Sequence, residues 1–191
     1  QTIKSTYGER LVIMTVHAGF FANVGAVPYN YNFKTLPGTD YDNFFGNGLA
    51  GNPNGLVNRV DYPTTTHIKN YGDWGNIVAT IMAEAPDAYL EISNNYNPGT
   101  RVLNTTVHTE FLDLLSGTYK LVVLLTEDSI VKPQKFYVPA KDSLNYVHHH
   151  VLRDAISSTS WGDVIATGSV AAGDTVVNSF QYTLPATFPA T

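Results

Sequence analysis

The sequence contains no cysteine in its 191 residues, which excludes disulfides, thiolate chemistry and cysteine-type zinc sites from this stretch of chain. Charged residues are also scarce, at 14%, and the net charge is -5. The lysines and arginines form no basic run, which argues against nucleic acid or anionic lipid as a partner. No apolar run reaches the roughly 18 residues of a membrane-spanning helix, and no secretory signal stands at Gln1. We therefore expect that this segment neither spans a membrane nor carries its own export signal.

Tyrosine, asparagine, threonine and glycine are abundant instead, with 12 tyrosines and 15 glycines. This composition is typical of extracellular or surface proteins rich in β structure. The length allows one large domain or two small ones. A change in hydrophobic period near Pro86 favours two.

The first part, residues 1–85, has the pattern of an α/β domain. Residues 11–17 form a continuous apolar run with β-branched members, which predicts a strand buried on both faces. A short helix is predicted over residues 40–45 with Thr39 as its cap, and a strand over residues 56–60. The stripe of apolar residues in 70–85 predicts the clearest helix of the chain.

The second part, residues 86–191, alternates with a period of 2 and predicts antiparallel strands. Leu103, Thr105, Val107, Thr109 and Phe111 share one face of such a strand. Two further strands, predicted over residues 118–126 and 145–153, organise the rest. Six or seven strands at this spacing are typical of an immunoglobulin-like sandwich.

Several motifs resemble one known family. The strand at 145–153 reads Asn-Tyr-Val-His-His-His-Val-Leu-Arg and follows Leu-Thr-Glu-Asp-Ser-Ile-Val at 125–131. This pair resembles the twenty-eight-kilodalton-type outer membrane protein family of Bacteroidetes, as do the segments at 7–12, 17–20, 44–46, 53–59 and 161–162. The matches run in order along nearly the whole chain.

The resemblance implies an α+β protein: a partial thioredoxin-like α/β domain followed by an all-β immunoglobulin-like sandwich. It implies export to the outer membrane or cell surface, with membrane association only through an N-terminal lipid outside this segment. Pro53 would correspond to the cis-proline of thioredoxin folds. Family members have a first strand and a Cys-x-x-Cys-type turn before the region of Gln1 and a further strand after the region of Thr191, so we expect the chain to be incomplete.

The histidines of the second organising strand suggest a metal site. On a regular strand His148 and His150 share a face about 7 Å apart, within reach of a common metal together with Glu127 or Asp128. The alternative is that they pair with polar groups across the sheet. Glu127, Asp128 and Asp142 are also considered as calcium ligands, although no EF-hand-like spacing supports this.

Other polar residues are assigned structural roles. Tyr146 and Arg153 are expected to fix the sheet through packing and hydrogen bonds, and His17 to be a hydrogen-bonded structural residue. Ser129, Ser143 and Thr175 lie in sequences that resemble the Asp-Ser/Thr-apolar sites at which exported Bacteroidetes proteins receive O-linked glycans. The aromatic loops, with Phe20, Phe21 and residues 29–41, either form a contact surface or cover the sheet.

These observations predict a non-catalytic outer membrane lipoprotein that acts as an adhesion, scaffold or complex subunit. It would have a protein partner, no cofactor and no nucleic-acid partner. The alternative is a thiol-disulfide oxidoreductase-like protein whose cysteines lie upstream of residue 1. The two differ in whether such cysteines exist.

Overall fold

The computed structural model describes residues 2–137 and 140–189. Contacts divide the chain into two compact units. The first contains Gln1–Ala83 and Leu124–Asp154, and the second contains Glu84–Val123 and Ala155–Thr191. The change at Ala83 and Glu84 lies close to the boundary predicted at Pro86. The grouping differs from the predicted division in that Leu124–Asp154, which contains the second organising strand, joins the first unit.

Helices occur in the first unit. They are α1 (Thr2–Tyr7), α2 (Leu36–Phe45) and α3 (Trp74–Met82), with 3-10 turns at Gly8–Arg10, Phe20–Ala22 and Asn47–Leu49. Helix α2 begins earlier than predicted because Thr35, and not Thr39, caps it: its side chain accepts a hydrogen bond from the amide of Gly38 at 3.1 Å. Helix α3 is shorter than predicted, since Asn70 lies in a strand.

The sheets of the first unit are small. Strand β1 (Asn54–Gly55) pairs with β2 (Lys69–Asn70), and β6 (Leu124–Glu127) pairs with β9 (Val151–Ala155). The longest pair is the antiparallel hairpin of β7 (Ile130–Tyr137) and β8 (Ala140–His148). Phe33, Ile130 and Val151 form a buried cluster, against which Tyr31 packs.

Two strands predicted for the first unit are wrong. Residues 11–17 form only an isolated parallel bridge from Thr15 to Val151. Apart from that bridge, no strand pairs with this run within the described residues, and residues 12–16 are exposed, with Val12 at 88%. Residues 56–60 form a turn instead of a strand, with positive φ at Asn58 and Arg59.

The second unit contains two antiparallel sheets. One has the order β11 (Thr175–Thr183), β4 (Val102–Phe111), β3 (Ala88–Asn97), and the other pairs β10 (Asp163–Val170) with β5 (Leu115–Leu121). The face predicted for β4 is confirmed, because Thr105, Val107, Thr109 and Phe111 are all buried. Val107 packs with Leu121, Val123 and partly buried neighbours that include Phe180.

Both organising strands are interrupted. The run 118–126 breaks after Leu121, and the backbone of Val123 bonds instead to Ile156 and Ser157. The run 145–153 breaks after His148, because His150 has a φ of 55°, which is incompatible with a continuing strand. The long uninterrupted strands predicted here are therefore wrong.

The mixture of helices and antiparallel sheets confirms the α+β class. The predicted cis bond before Pro53 is also confirmed, and the bonds before Pro28 and Pro63 are cis as well. Among the residues described, no helix is both long enough and apolar enough to cross a membrane.

Candidate functional site

Four rings of the first unit form what we call the histidine cluster: His17, Phe33, Tyr146 and His148. His17 stacks on Phe33 at 4.5 Å between ring centroids, and His148 contacts His17 at 5.6 Å and Phe33 at 4.6 Å. Tyr146 meets His148 edge-on at 4.8 Å. Strand β8 supplies the last two rings, since residues 146 and 148 lie on one face of a strand. The parallel bridge at Thr15 holds the segment that carries His17.

Burial controls the charge of both histidines. The pKa of His17 falls to about 4, first because the ring is desolvated and then because His148 and Arg153 lie nearby. Burial also lowers the pKa of His148, which is only 4% exposed. Nδ1 of His17 and Nε2 of His148 are buried and have no hydrogen-bond partner among the described residues. At neutral pH both rings are therefore uncharged, and they act as packing groups.

Arg153 and Tyr146 both contact residues of neighbouring strands. Nε of Arg153 lies 3.3 Å from Oε2 of Glu127, and its Nη1 donates to the hydroxyl of Tyr31 at 3.3 Å. Tyr146 contacts Phe136 across the β7–β8 hairpin as well as His148. These contacts connect β9 to β6 and β8 to β7.

The side chain of Asp128 accepts hydrogen bonds from the two histidines that follow His148, namely His149 and His150. Oδ1 of Asp128 lies 2.7 Å from Nδ1 of His149 and accepts the amides of Ser129 at 2.8 Å and His150 at 3.3 Å. The hydrogen bond from His149 and the amide of Ser129 hold the pKa of this carboxyl below its usual range. The Asp128 side chain thus closes the turn between β8 and β9.

The common strand face assumed for His148 and His150 does not form, since β8 ends at His148. In the part of the chain that the structure describes, no three or more histidine, aspartate or glutamate side chains are gathered as a metal site. Metal binding by His148 and His150 stays a prediction, as does calcium binding by Glu127, Asp128 and Asp142. Of the latter three, Glu127 is held by Arg153.

An open cleft of about 660 Å³ lies in the first unit beside the histidine cluster. Its lining includes Lys4, Glu9, Ile13, Tyr146, His148 and His150. Lys4 donates to the carbonyl of Leu11 at 2.7 Å and lies 3.9 Å from Glu9. The charges at the mouth are therefore partly satisfied within the chain.

The three predicted glycosylation positions differ in exposure. Ser129 is exposed in the turn after Asp128 and has a φ of 59°. Thr175 is exposed at the start of β11, whereas Ser143 lies half-buried in β8. Modification at these three sites stays a prediction.

Pro53, which would correspond to the cis-proline of thioredoxin folds, is exposed and directly precedes β1.

The aromatic loop divides into two parts with opposite orientation. Tyr31 and Phe33 turn inward and pack with Ile130 of β7 and Val151 of β9, and Phe33 is 8% exposed. Phe20 and Phe21 turn outward and are 78% and 65% exposed. Val24 and Val27 are exposed as well. We call residues 18–33 the uncharged loop, because it contains no lysine, arginine, aspartate or glutamate.

The histidine cluster was not predicted from the sequence. The sequence predicts His17 at the end of a strand and indicates no contact with His148. The contact joins residues far apart in the chain, and the aromatic residues in 29–41 indicate only that this loop either covers the sheet or forms a contact surface.

Comparison with known proteins gives one match. A family model described as Outer membrane protein Omp28 matches residues 39–191. Comparisons with curated proteins and with solved structures found no significant match. The matched span covers most of the first unit and the whole of the second.

Proposed function

Because the chain belongs to the Omp28 family of outer membrane proteins, we propose that it is a non-catalytic surface lipoprotein acting by contact, as an adhesion, scaffold or complex subunit. The family places it at the outer membrane or cell surface. The contact role, the lipid and the absence of catalysis are the parts we propose. One observation carries the contact role: the exposed pair of Phe20 and Phe21 in the uncharged loop.

The pair of Phe20 and Phe21 has the properties of a protein contact. Phe20 and Phe21 meet edge-on at 5.6 Å, so the pair presents a preformed apolar surface. Contiguous exposed apolar patches are uncommon on soluble proteins and mark interaction sites. Residues 18–33 themselves contribute no charged side chain that would have to be desolvated on binding.

The buried polar groups support a non-catalytic role. Arg153 is paired with Glu127, and His148 is enclosed by rings. These contacts hold Arg153, Glu127 and His148 in place. In the contacts described, none of the three forms a nucleophile–base pair with a serine or threonine. The thiol-disulfide alternative depends on cysteines that the 191 residues do not contain, and it stays a prediction.

The test measures the size of the native assembly. Full-length protein is extracted from outer membranes in mild detergent and sized by native electrophoresis, for the wild type and for a double variant, Phe20→Ser with Phe21→Ser. The control is Leu114→Ser, since Leu114 is 70% exposed and belongs to the second unit. We expect the wild type and the control to migrate in an assembly larger than the single chain, and the double variant to be released from it.

Two results would contradict the proposal. If all three proteins migrate as the free chain, there is no stable partner. If the double variant stays in the assembly, the uncharged loop is not the contact. Intact mass of the native protein tests the lipid separately, with a lipidated N-terminus expected.

A further inference from the structure

Strand β3 of the second unit is an unprotected sheet edge. Its ten residues pair with β4 in continuous register from Ala88 to Asn97. Within the described residues β4 is its only partner, so the outward backbone groups of alternate β3 residues face solvent. Edge strands are normally blocked by lysine, proline or a bulge. Strand β3 contains no lysine and no proline, and its register has no shift.

The edge is also apolar on one face. Leu90 and Ile92 lie opposite Thr109 and Val107 of β4, so all four point to the same side of the sheet. The β4 residues are each 3% exposed, whereas Leu90 is 56% and Ile92 is 58% exposed. The core that covers β4 therefore does not extend over β3.

We propose that β3 is a self-association edge, through which two copies of this chain pair antiparallel with Ser93 on the twofold axis. A second copy is the occupant that the sequence of the strand fits. In this register Leu90 lies opposite Tyr96 of the other copy, and the symmetry forms this apolar–aromatic pair twice. The two sheets become one continuous sheet with β3 and its copy at the centre.

Charge also favours this register. Glu91 is the only charged residue of β3, and like charges directly opposite each other are destabilising. With Ser93 on the axis, Glu91 lies opposite Asn95 of the other copy. The strand therefore pairs with itself without placing like charges opposite each other. A charge introduced at position 95 would face Glu91 of the other copy.

The first test uses that position. In the full-length protein, Asn95→Lys puts an opposite charge against Glu91 of the other copy twice, and Asn95→Glu puts a like charge there twice. Both changes occur at an exposed site. By sedimentation equilibrium at low salt, we expect the dimer of the lysine variant to be about tenfold tighter than that of the glutamate variant. High salt should reduce the difference.

The second test uses the absence of native cysteine. Two residues directly opposite in an antiparallel pair have Cα atoms about 4.5–5.5 Å apart, within disulfide range. We expect Ser93→Cys to form a covalent dimer under mild oxidation. The control is Ser179→Cys, because Ser179 lies in β11, on the other edge of the same sheet, and on the same face as Ser93.

The proposal is overturned if the wild-type chain is monomeric at all concentrations and Ser93→Cys cross-links no faster than Ser179→Cys. It is also overturned if Ser93→Cys on cells cross-links to a different protein and not to a second copy. Because β3 belongs to the second unit and the uncharged loop to the first, the variants of Phe20 and Phe21 test the proposed function independently.

Discussion

Nε of Arg153 lies 3.3 Å from Oε2 of Glu127, and only 9% and 21% of the two side chains are exposed. The pair joins β9 to β6, and the hydroxyl of Tyr31 accepts a further hydrogen bond from the guanidinium. Removing one partner of an enclosed ion pair leaves the other charge without compensation, which costs more than the pair itself contributes.

Glu127→Gln is therefore expected to lower the free energy of unfolding by about 3 kcal/mol. The matched control is Glu9→Gln, since Glu9 is fully exposed and lies 3.9 Å from Lys4. Exposed pairs contribute little, so the control should unfold at nearly the same urea concentration as the wild type. Urea unfolding measures both variants. Equal losses of stability would show that the Arg153 environment is not enclosed.

His17 should make stability depend on pH. Its pKa in the folded chain is about 4, against 6.5 for an unperturbed ring, so between these values the unfolded chain binds more protons. The stabilisation that comes from keeping His17 neutral is fully present above pH 6.5. It is lost as the pH falls toward 4, where the free energy of unfolding decreases by up to about 1.4 kcal/mol per pH unit.

We expect His17→Gln to flatten this part of the pH profile when unfolding is measured at about pH 7, 5.5 and 4.5. Ring-proton NMR of the wild type gives an independent reading. A midpoint for His17 at or above about 6 would contradict the burial on which the prediction depends.

Gly162 occupies a position that no other residue fits. Its φ is +79°, and an added Cβ would lie 2.4 Å from the carbonyl oxygen of Leu121. Gly173 has a φ of +88°, but a Cβ added there would have no atom within 4 Å. The two glycines therefore separate backbone strain from steric overlap.

Gly173→Ala is expected to cost about 1 kcal/mol from the left-handed backbone alone. Gly162→Ala carries the same penalty and also forces backbone apart, so we expect a loss of about 3 kcal/mol or more. Thermal unfolding of the two variants checks the order. A cost for Gly162→Ala no larger than for Gly173→Ala would show that this contact relaxes freely.

Threonine has opposite roles at two helix positions. Thr35 caps α2 by accepting the amide of Gly38, so Thr35→Ala should cost about 1 kcal/mol. Thr80 lies inside α3, exposed, and its hydroxyl bonds back to the carbonyl of Asn76. There alanine is the better helix former, so Thr80→Ala should be neutral or slightly stabilising. Urea unfolding of both variants tests the difference in sign.

The elements predicted best from the sequence are those whose own pattern determines their packing. Alternation along β4 identified its buried face, because each inward side chain meets the same core. The turn after β3 likewise depends on its own residues: Asn97 Oδ1 accepts the amides of Gly99 and Thr100, as asparagine does in such turns.

Prediction failed where structure depends on a neighbour or on one unusual backbone angle. Residues 11–17 have the composition of a buried strand, yet only Thr15 pairs, since strand propensity does not supply a partner strand. The break between β8 and β9 arises from the positive φ of His150, which the presence of a histidine does not indicate. The histidine cluster was missed for a related reason, because it brings together residues 17, 33 and 148.

The chain passes from the first unit to the second at Ala83 and Glu84, returns at Val123 and Leu124, and leaves again at Asp154 and Ala155. Neither unit is thus one uninterrupted piece of polypeptide. During synthesis, the first unit cannot be completed until residue 154 has left the ribosome, although the second has already begun. A single continuous gene segment encodes neither unit by itself. Recombination that keeps both units intact must therefore transfer the two together.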